Sequence, residues 1–306
     1  MAAPAVVLDC DPGNDDFLAI VLAQRFADLR GITTVAGNTS LANTTRNACI
    51  AADICGFRGP VVAGASGPLL GEPQFAEHVH GASGLDGPDL PVVIRSATDG
   101  EASSFLIDTC GPDTWLIATG PLTNVALAIR RDPGFSSRLA GISLMGGSTS
   151  YGNVTSAAEF NIWADPEAAS VVFNSGARLR MVGLNVTHTV LVDSPFVQRI
   201  RQLATPPARF VGDLLEAFVI AYGKMSRQPG FAPIHDPCAL LWVTHPDLFG
   251  SVPARVDIEL AGAFARGMTV VDLRELSGIT AGNADVAMSA DSARVLDLLY
   301  ETVSAL

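Results

Sequence analysis

The chain is short of thiols, of basic charge and of long apolar runs, and each shortage closes off a class of protein. Its five cysteines are scattered through 306 residues, and none forms a Cys-x-x-Cys pair. An odd count in a long chain argues against a disulfide framework and for reduced thiols, so a cytoplasmic protein is expected. Cys10 lies between two aspartates, where a thiolate is disfavoured, and is not read as a nucleophile. Lys and Arg number 19 against 31 Asp and Glu, a net charge of −12, which argues against a nucleic-acid partner. No uncharged apolar run is long enough to span a bilayer, so no membrane partner is expected. The first residues show neither a basic n-region nor a free-standing apolar h-region, so no signal peptide is expected. Phosphate-cradling motifs are missing too: no Gly-x-Gly-x-x-Gly follows a strand, and no Gly-Lys-Ser/Thr occurs.

Basic residues are absent where acid is densest. The run Val6-Val7-Leu8-Asp9-Cys10-Asp11-Pro12-Gly13-Asn14-Asp15-Asp16 places four carboxylates within eight residues, and no Lys or Arg precedes Arg25. Carboxylates this close raise each other's pKa unless something positive sits among them. A divalent ion answers the need, and all-oxygen ligands without His or Cys point to calcium or magnesium. An EF-hand loop starting at Asp9 would need Gly at its sixth position and Glu at its twelfth. Those positions hold Asn14 and Ile20, so that reading fails. A phosphatase-type pair, with Asp9 as nucleophile and Asp11 as acid/base, stays open. Helix capping explains one or two of these aspartates, not four.

Short β-branched runs alternate with helical patterns. Strands are expected at 6–8, 31–36, 61–63, 114–118, 142–145 and 179–184. Helices are expected at about 15–26, 44–55, 103–110 and 123–131, and from Pro166 to a stop at Gly176. This alternation predicts an α/β fold: an open, mostly parallel twisted sheet with helices on both faces. After about Ser194 three helices are expected (194–202, 208–222, 237–245), then a late β-pair (255–260 with 268–273) and a closing helix (291–306). With no linker, repeat or low-complexity tract, residues 1–306 read as one domain with a C-terminal helical elaboration. Ligands of such sheets bind beyond the carboxyl ends of the strands. Asp9 and Asp11, Gly37-Asn38, Thr119-Gly120, Gly146-Gly147 and Asn185 all fall there.

Further along, Gly152-Asn153, Ala158-Glu159-Phe160-Asn161 and Asp165-Pro166 form a polar stretch with one aromatic. Its amides and carboxylate suit a hydroxyl-rich ligand, and the ring suits that ligand's apolar side. His235-Asp236-Pro237 starts a helix and adds Asp236 as a further carboxylate for the ion. The stretch 79–87, rich in Gly and small residues, reads as a flexible loop able to close over a site. Trp242 and Leu240-Leu241 read as core.

Taken together these segments resemble the nucleoside hydrolase family, of the inosine–uridine-preferring type. The resemblance runs nearly the whole length. It rests on Asp-Cys-Asp-Pro-Gly-Asn-Asp-Asp at 9–16, Gly37-Asn38, His80-Gly81 through Gly87, Thr119 through Asn124, Leu144 through Gly147, Glu159-Phe160-Asn161 and His235-Asp236-Pro237. It implies a calcium ion held by Asp11, Asp15, Asp236 and the carbonyl of Thr119, with Asp11 also the general base on water. It implies Asp16, Asn38 and Asn161 on the ribose 2′- and 3′-hydroxyls, and Asn153 and Glu159 on the 5′-hydroxyl. Met145 would lie near the ribose, and His80, Phe160 and His235 near the base. A purine-specific branch carries Trp where this chain has His235, so strict purine specificity is not expected. Tyr222, Arg227 and Gln228 are candidates for reading the base, in a stretch that does not match the family's pattern. The family also implies a homodimer or homotetramer.

The expected activity is hydrolysis of the N-glycosidic bond of ribonucleosides to base and ribose, feeding nucleoside salvage. An acidic pocket suits the positive charge that builds on the sugar ring. His235, if its pKa stays near neutral, is the expected proton donor to the leaving base. Two other readings remain at this point. A metal-dependent phosphohydrolase would want a Lys and a phosphate cradle. A non-catalytic nucleoside- or sugar-binding protein would have no use for Asp11 beside the ion.

Overall fold

The computed structural model describes residues 3–225, 229–274 and 282–306. Its first strand shows how the fold arises. β1 (Ala5–Cys10) is buried along its whole length. Val6, Leu8 and Cys10 enter one apolar cluster and Val7 another. A two-residue period feeding two cores is what a strand covered on both faces requires. Trp115 and Ile117 against Leu116 and Ala118 repeat the alternation in β4 (Thr114–Ala118).

The remaining strands are β2 (Asp28–Thr34), β3 (Val61–Ala63), β5 (Gly141–Met145), β6 (Leu179–Val182), β7 (Leu191–Asp193), β8 (Phe231–Pro233), β9 (Phe249–Ile258), β10 (Thr269–Asp272) and β11 (Ala284–Ala290). Nine form one sheet in the order β10-β9-β11-β6-β5-β4-β1-β2-β3, and β7 and β8 form a separate antiparallel pair. From β3 across to β11 all pairings are parallel, and β9 joins β11 and β10 antiparallel. Helices 14–26, 41–55, 206–225, 236–244 and 292–303 pack on the larger cluster, and helices 102–109, 123–131 and 166–173 on the other. The late β-pair of the sequence reading is present, but β11 fastens it to the main sheet. Leu179–Leu184 ends early as a strand, at Val182, and a short helix (Leu184–Thr187) follows.

The chain runs from β1 to β2 and β3 on one side, then returns to β4 on the other. The strand order therefore reverses between β1 and β4, and a crevice opens beyond their carboxyl ends. Asp11 lies just past the end of β1 and Thr119 just past β4. The helix Asn14–Phe26 begins at the same point. Asp16 accepts hydrogen bonds from the backbone N–H of Gly13 (3.1 Å) and of Asp11 (3.3 Å), and so folds the acidic loop onto the first helical turn. Among the described residues, no helix is long and apolar enough to cross a membrane.

Candidate active site

A cavity of about 250 Å³ sits in this crevice. Of the residues expected from sequence, Asp15, Asn38, His80, Thr119, Met145, Asn153, Glu159, Phe160, Asn161, His235, Asp236 and Tyr222 line it. Asp11 and Asp16 do not reach its wall and are fully buried. Arg227 and Gln228 lie outside the described residues. Asn185, expected among the ligand-facing strand ends, is also off the wall. It has turned into the helix after β6, where its amide donates to Ala287 O (3.0 Å).

The acidic floor is crowded and, among the described residues, lacks a basic partner. Asp15, Asp16 and Asp236 each turn one oxygen inward, all within 4.8 Å of one another. Burial and mutual repulsion push Asp11 and Asp236 well above the carboxylate range, and Asp15 up to about 7. Behind them Asp9, which accepts from Thr33 (2.5 Å) and Asn124 (2.8 Å), is raised by burial to about 6. Asp11 is gripped through one oxygen, which accepts the Asn38 backbone N–H at 2.6 Å. Its other oxygen, Oδ1, is buried and has no hydrogen-bond partner among the described residues. A Cβ at Gly37 would fall 2.1 Å from one Asp11 oxygen, and one at Gly120 would fall 2.6 Å from the other. Only glycine lets the backbone close on this carboxylate from both sides.

Above the floor the polar side chains are partly committed. Asn38 Nδ2 donates to Asp11 O (3.1 Å) and Asp16 Oδ2 (3.0 Å). Asn161 Nδ2 donates to Thr119 O (2.8 Å) and Met145 O (3.0 Å). Each amide is left with its oxygen to offer, so both are acceptors toward a ligand. Glu159 caps the helix Phe160–Ala164 through the N–H groups of Asn161 and Ile162, and also accepts from Gly147 N. Burial outweighs these bonds and raises it to about 7. Asn153 Oδ1 takes the Phe160 N–H at 2.9 Å and orders the aromatic beside the cavity.

The far wall is aromatic. His80 stacks on Phe218 at 5.7 Å, and its Nδ1 accepts the Asn14 N–H. Burial lowers it to about 3, so it is neutral. Phe218, Val79 and Val154 complete this wall. Phe218 belongs to the helix expected around 208–222, where nothing in a helical pattern separates a core face from a cavity face. The loop 81–87 is less free than its composition suggests. Ala82 O accepts from Thr39 and Asn43, and Ser83 O from Arg46 and Asn47. His235 turns its backbone N–H to Asp15 Oδ2 (3.2 Å), and its Nδ1 lies 2.7 Å from Thr187 Oγ1. Burial, with His188 and His80 nearby, pushes it well below 6.5. This shift runs against the near-neutral pKa expected from sequence and favours the neutral imidazole.

Comparison with known proteins converges on one family. Residues 6–297 match the family model for inosine-uridine preferring nucleoside hydrolases. The chain belongs to that family. It is 42% identical to the inosine-uridine preferring nucleoside hydrolase of Crithidia fasciculata, over 88% of each chain. It is also 42% identical to a pyrimidine-specific ribonucleoside hydrolase of Shewanella woodyi, over 97% of each. A solved structure, the purine-preferring ribonucleoside hydrolase of Gardnerella vaginalis, superposes with a TM-score of 0.92 at 31% identity over 98% of both chains. Family membership makes the protein an N-glycosyl hydrolase and sets aside the phosphohydrolase and binding-protein readings.

Nucleoside hydrolases are metal-dependent, and the acidic floor passes the test for an ion on its own chemistry. Four carboxylates are buried together, no ion pair among the described residues reaches them, and one Asp11 oxygen has no partner. Uncompensated buried charge of this density is strongly unfavourable, and a divalent cation removes the penalty.

Proposed function

We propose that the protein hydrolyses the N-glycosidic bond of ribonucleosides, releasing free base and ribose for purine and pyrimidine salvage, and that it depends on calcium. The observation that carries this reading is the orphaned Asp11 oxygen in a buried carboxylate cluster, directly beneath a cavity lined by amide acceptors. Asp11, Asp15, Asp236 and the Thr119 carbonyl would hold the ion. Their all-oxygen character favours calcium over softer metals. When bound, calcium supplies Lewis acidity toward oxygen donors and offsets the negative charge of the floor.

The protein's own groups then account for the chemistry. Asn38 and Asn161 accept hydrogen bonds from the ribose 2′- and 3′-hydroxyls, with Asp16 beside them, and Met145 lies under the sugar. Asn153 and Glu159 hold the 5′-hydroxyl. Asp11 takes a proton from water as the water oxygen bonds to C1′. The C1′–N electron pair leaves with the base. Nearby carboxylates favour the positive charge that builds on the ring at that moment. His80, Phe160, Phe218 and Tyr222 pack the base. His235, neutral, offers it an N–H hydrogen bond. The family match over residues 6–297 and a nine-stranded sheet that draws strands from β1 through β11 also support reading residues 1–306 as one domain.

Incubation with uridine and with inosine, followed by assay of free ribose, tests the activity. Prolonged chelation should abolish release and calcium restore it. No release from either nucleoside would refute the proposal, and full activity in verified metal-free protein would refute the calcium dependence.

A further inference from the structure

Thr187 contributes nothing to the cavity surface, yet its hydroxyl lies 2.7 Å from the ring of His235. The side chain is completely buried. Its own backbone N–H is spent on Gly183 O, within the short helix that follows β6. Among the described residues the hydroxyl has no hydrogen-bond partner other than His235 Nδ1. That isolation decides the direction of the bond. Were Nδ1 to carry the proton, the threonine hydroxyl would accept it and its own hydrogen would be left buried without an acceptor. Were the hydroxyl to donate, its hydrogen and the Nδ1 lone pair would both be satisfied. The imidazole proton then belongs on Nε2. Among the described residues Nε2 has no protein partner, and the ring lines the cavity.

We propose that Thr187 is a positioning residue that locks His235 in its Nε2–H tautomer and so aims a hydrogen-bond donor at the departing base. The inference rests on the reading that His235 faces that base. A donor is useful there because the base leaves with the C1′–N electron pair. The opposite tautomer would present a lone pair and repel it. The ring is held by the Thr187 hydroxyl and by contact with His188 at a 5.6 Å centroid distance, while the His235 backbone is tied to Asp15. Of these, the hydroxyl alone discriminates between the two tautomers.

The test compares uridine with nitrophenyl riboside, whose leaving group departs without help, in Thr187→Val, Thr187→Ser and His235→Ala proteins. Thr187→Val should lower kcat on uridine roughly 10- to 100-fold, the loss usual for a partner that orients a working histidine. It should leave nitrophenyl riboside turnover within about twofold, and Thr187→Ser should restore uridine turnover, because the hydroxyl alone supplies the bond. Equal losses on both substrates, or no loss on either, would overturn the proposal. A second readout needs no turnover. In protein labelled with ¹⁵N-histidine, the ring signals missing from His235→Ala identify His235. Wild type should show Nε2 protonated and Nδ1 bare, and Thr187→Val should lose that preference. An Nδ1-protonated wild-type ring overturns the proposal even if the valine variant fails to fold. Equal losses for His235→Ala on both substrates would instead remove the leaving-group reading, while the tautomer spectrum still judges the lock.

Discussion

At the scale of single residues, the division of labour follows from which atoms are already in use. Among the described residues Asp11 has one oxygen bonded to Asn38 N and one without a partner, and in the proposed reading that second oxygen is the one open to ion and water. Asp11→Asn keeps the shape and the bond from Asn38 but removes the charge and the proton acceptor. Its kcat on uridine should fall by at least the 10²- to 10⁴-fold typical of acid–base groups. Steady-state kinetics at saturating calcium measures this, and a variant within about tenfold of wild type would show that Asp11 is not the base. Asn38 and Asn161 have spent their N–H groups on the protein and keep only acceptors. An acceptor left facing a missing hydroxyl is costly, and sites built this way reject the lacking analogue by up to about 10⁴-fold. Uridine should therefore exceed 2′-deoxyuridine in kcat/KM by several orders of magnitude, and comparable values would remove these amides from the diol.

At the scale of elements, the site is assembled where strands stop. Gly37, just past β2, and Gly120, just past β4, close on the Asp11 carboxylate, and neither position has room for a methyl group. Gly37→Ala should displace the carboxylate while leaving the sheet intact, since the contact is confined to the loop. A shift of about 1 Å in a reacting group can cost on the order of 10²-fold in rate. Calcium affinity should weaken along with kcat, and circular dichroism should stay unchanged. Normal affinity and rate would mean that Asp11 has room to give. Most of this floor was readable beforehand, because dense like charge without a basic neighbour has few physical solutions. The strands from β1 to β6 were readable for the same kind of reason: β-branched runs between helical patterns leave little choice. β11 was not readable. Its sequence, Ala-Asp-Val-Ala-Met-Ser-Ala, has one β-branched residue, and its strand form comes from pairing with β6 and β9. Phe218 and Thr187 carry no local sequence signal, because their roles depend on contacts across the fold.

At the scale of the whole molecule, the proposed ion and protons would compete for the same carboxylates. Without an ion, Asp15 rises to about 7, Asp9 to about 6 and Glu159 to about 7, and burial and mutual repulsion push Asp11 and Asp236 well above the ordinary carboxylate range. All are raised above their unfolded values of about 4. Such groups stabilise the metal-free fold fully at pH below about 4, and that contribution is lost as pH climbs through 6 and 7. The buried histidines act oppositely. His80, lowered to about 3, and His235 cost stability as pH falls below about 6.5, because the unfolded chain takes up their protons first. The raw pH–stability curve of the metal-free protein therefore mixes two opposed slopes, and the difference that calcium makes isolates the carboxylates. An ion bound to ionised Asp11, Asp15 and Asp236 must displace the protons they hold. At pH 5 that displacement is costly, and it becomes less so as pH rises through the Asp15 pKa of about 7. Calcium should raise the midpoint of thermal unfolding little at pH 5 and increasingly toward pH 8. The logarithm of its affinity should climb by about one or more per pH unit between 5 and 7, one for each proton released. Titration calorimetry in two buffers of different ionisation enthalpy counts those protons directly. An affinity flat across this range, with no proton release, would mean that the carboxylates are already ionised without metal, and the charge-crowding account of the floor would fail.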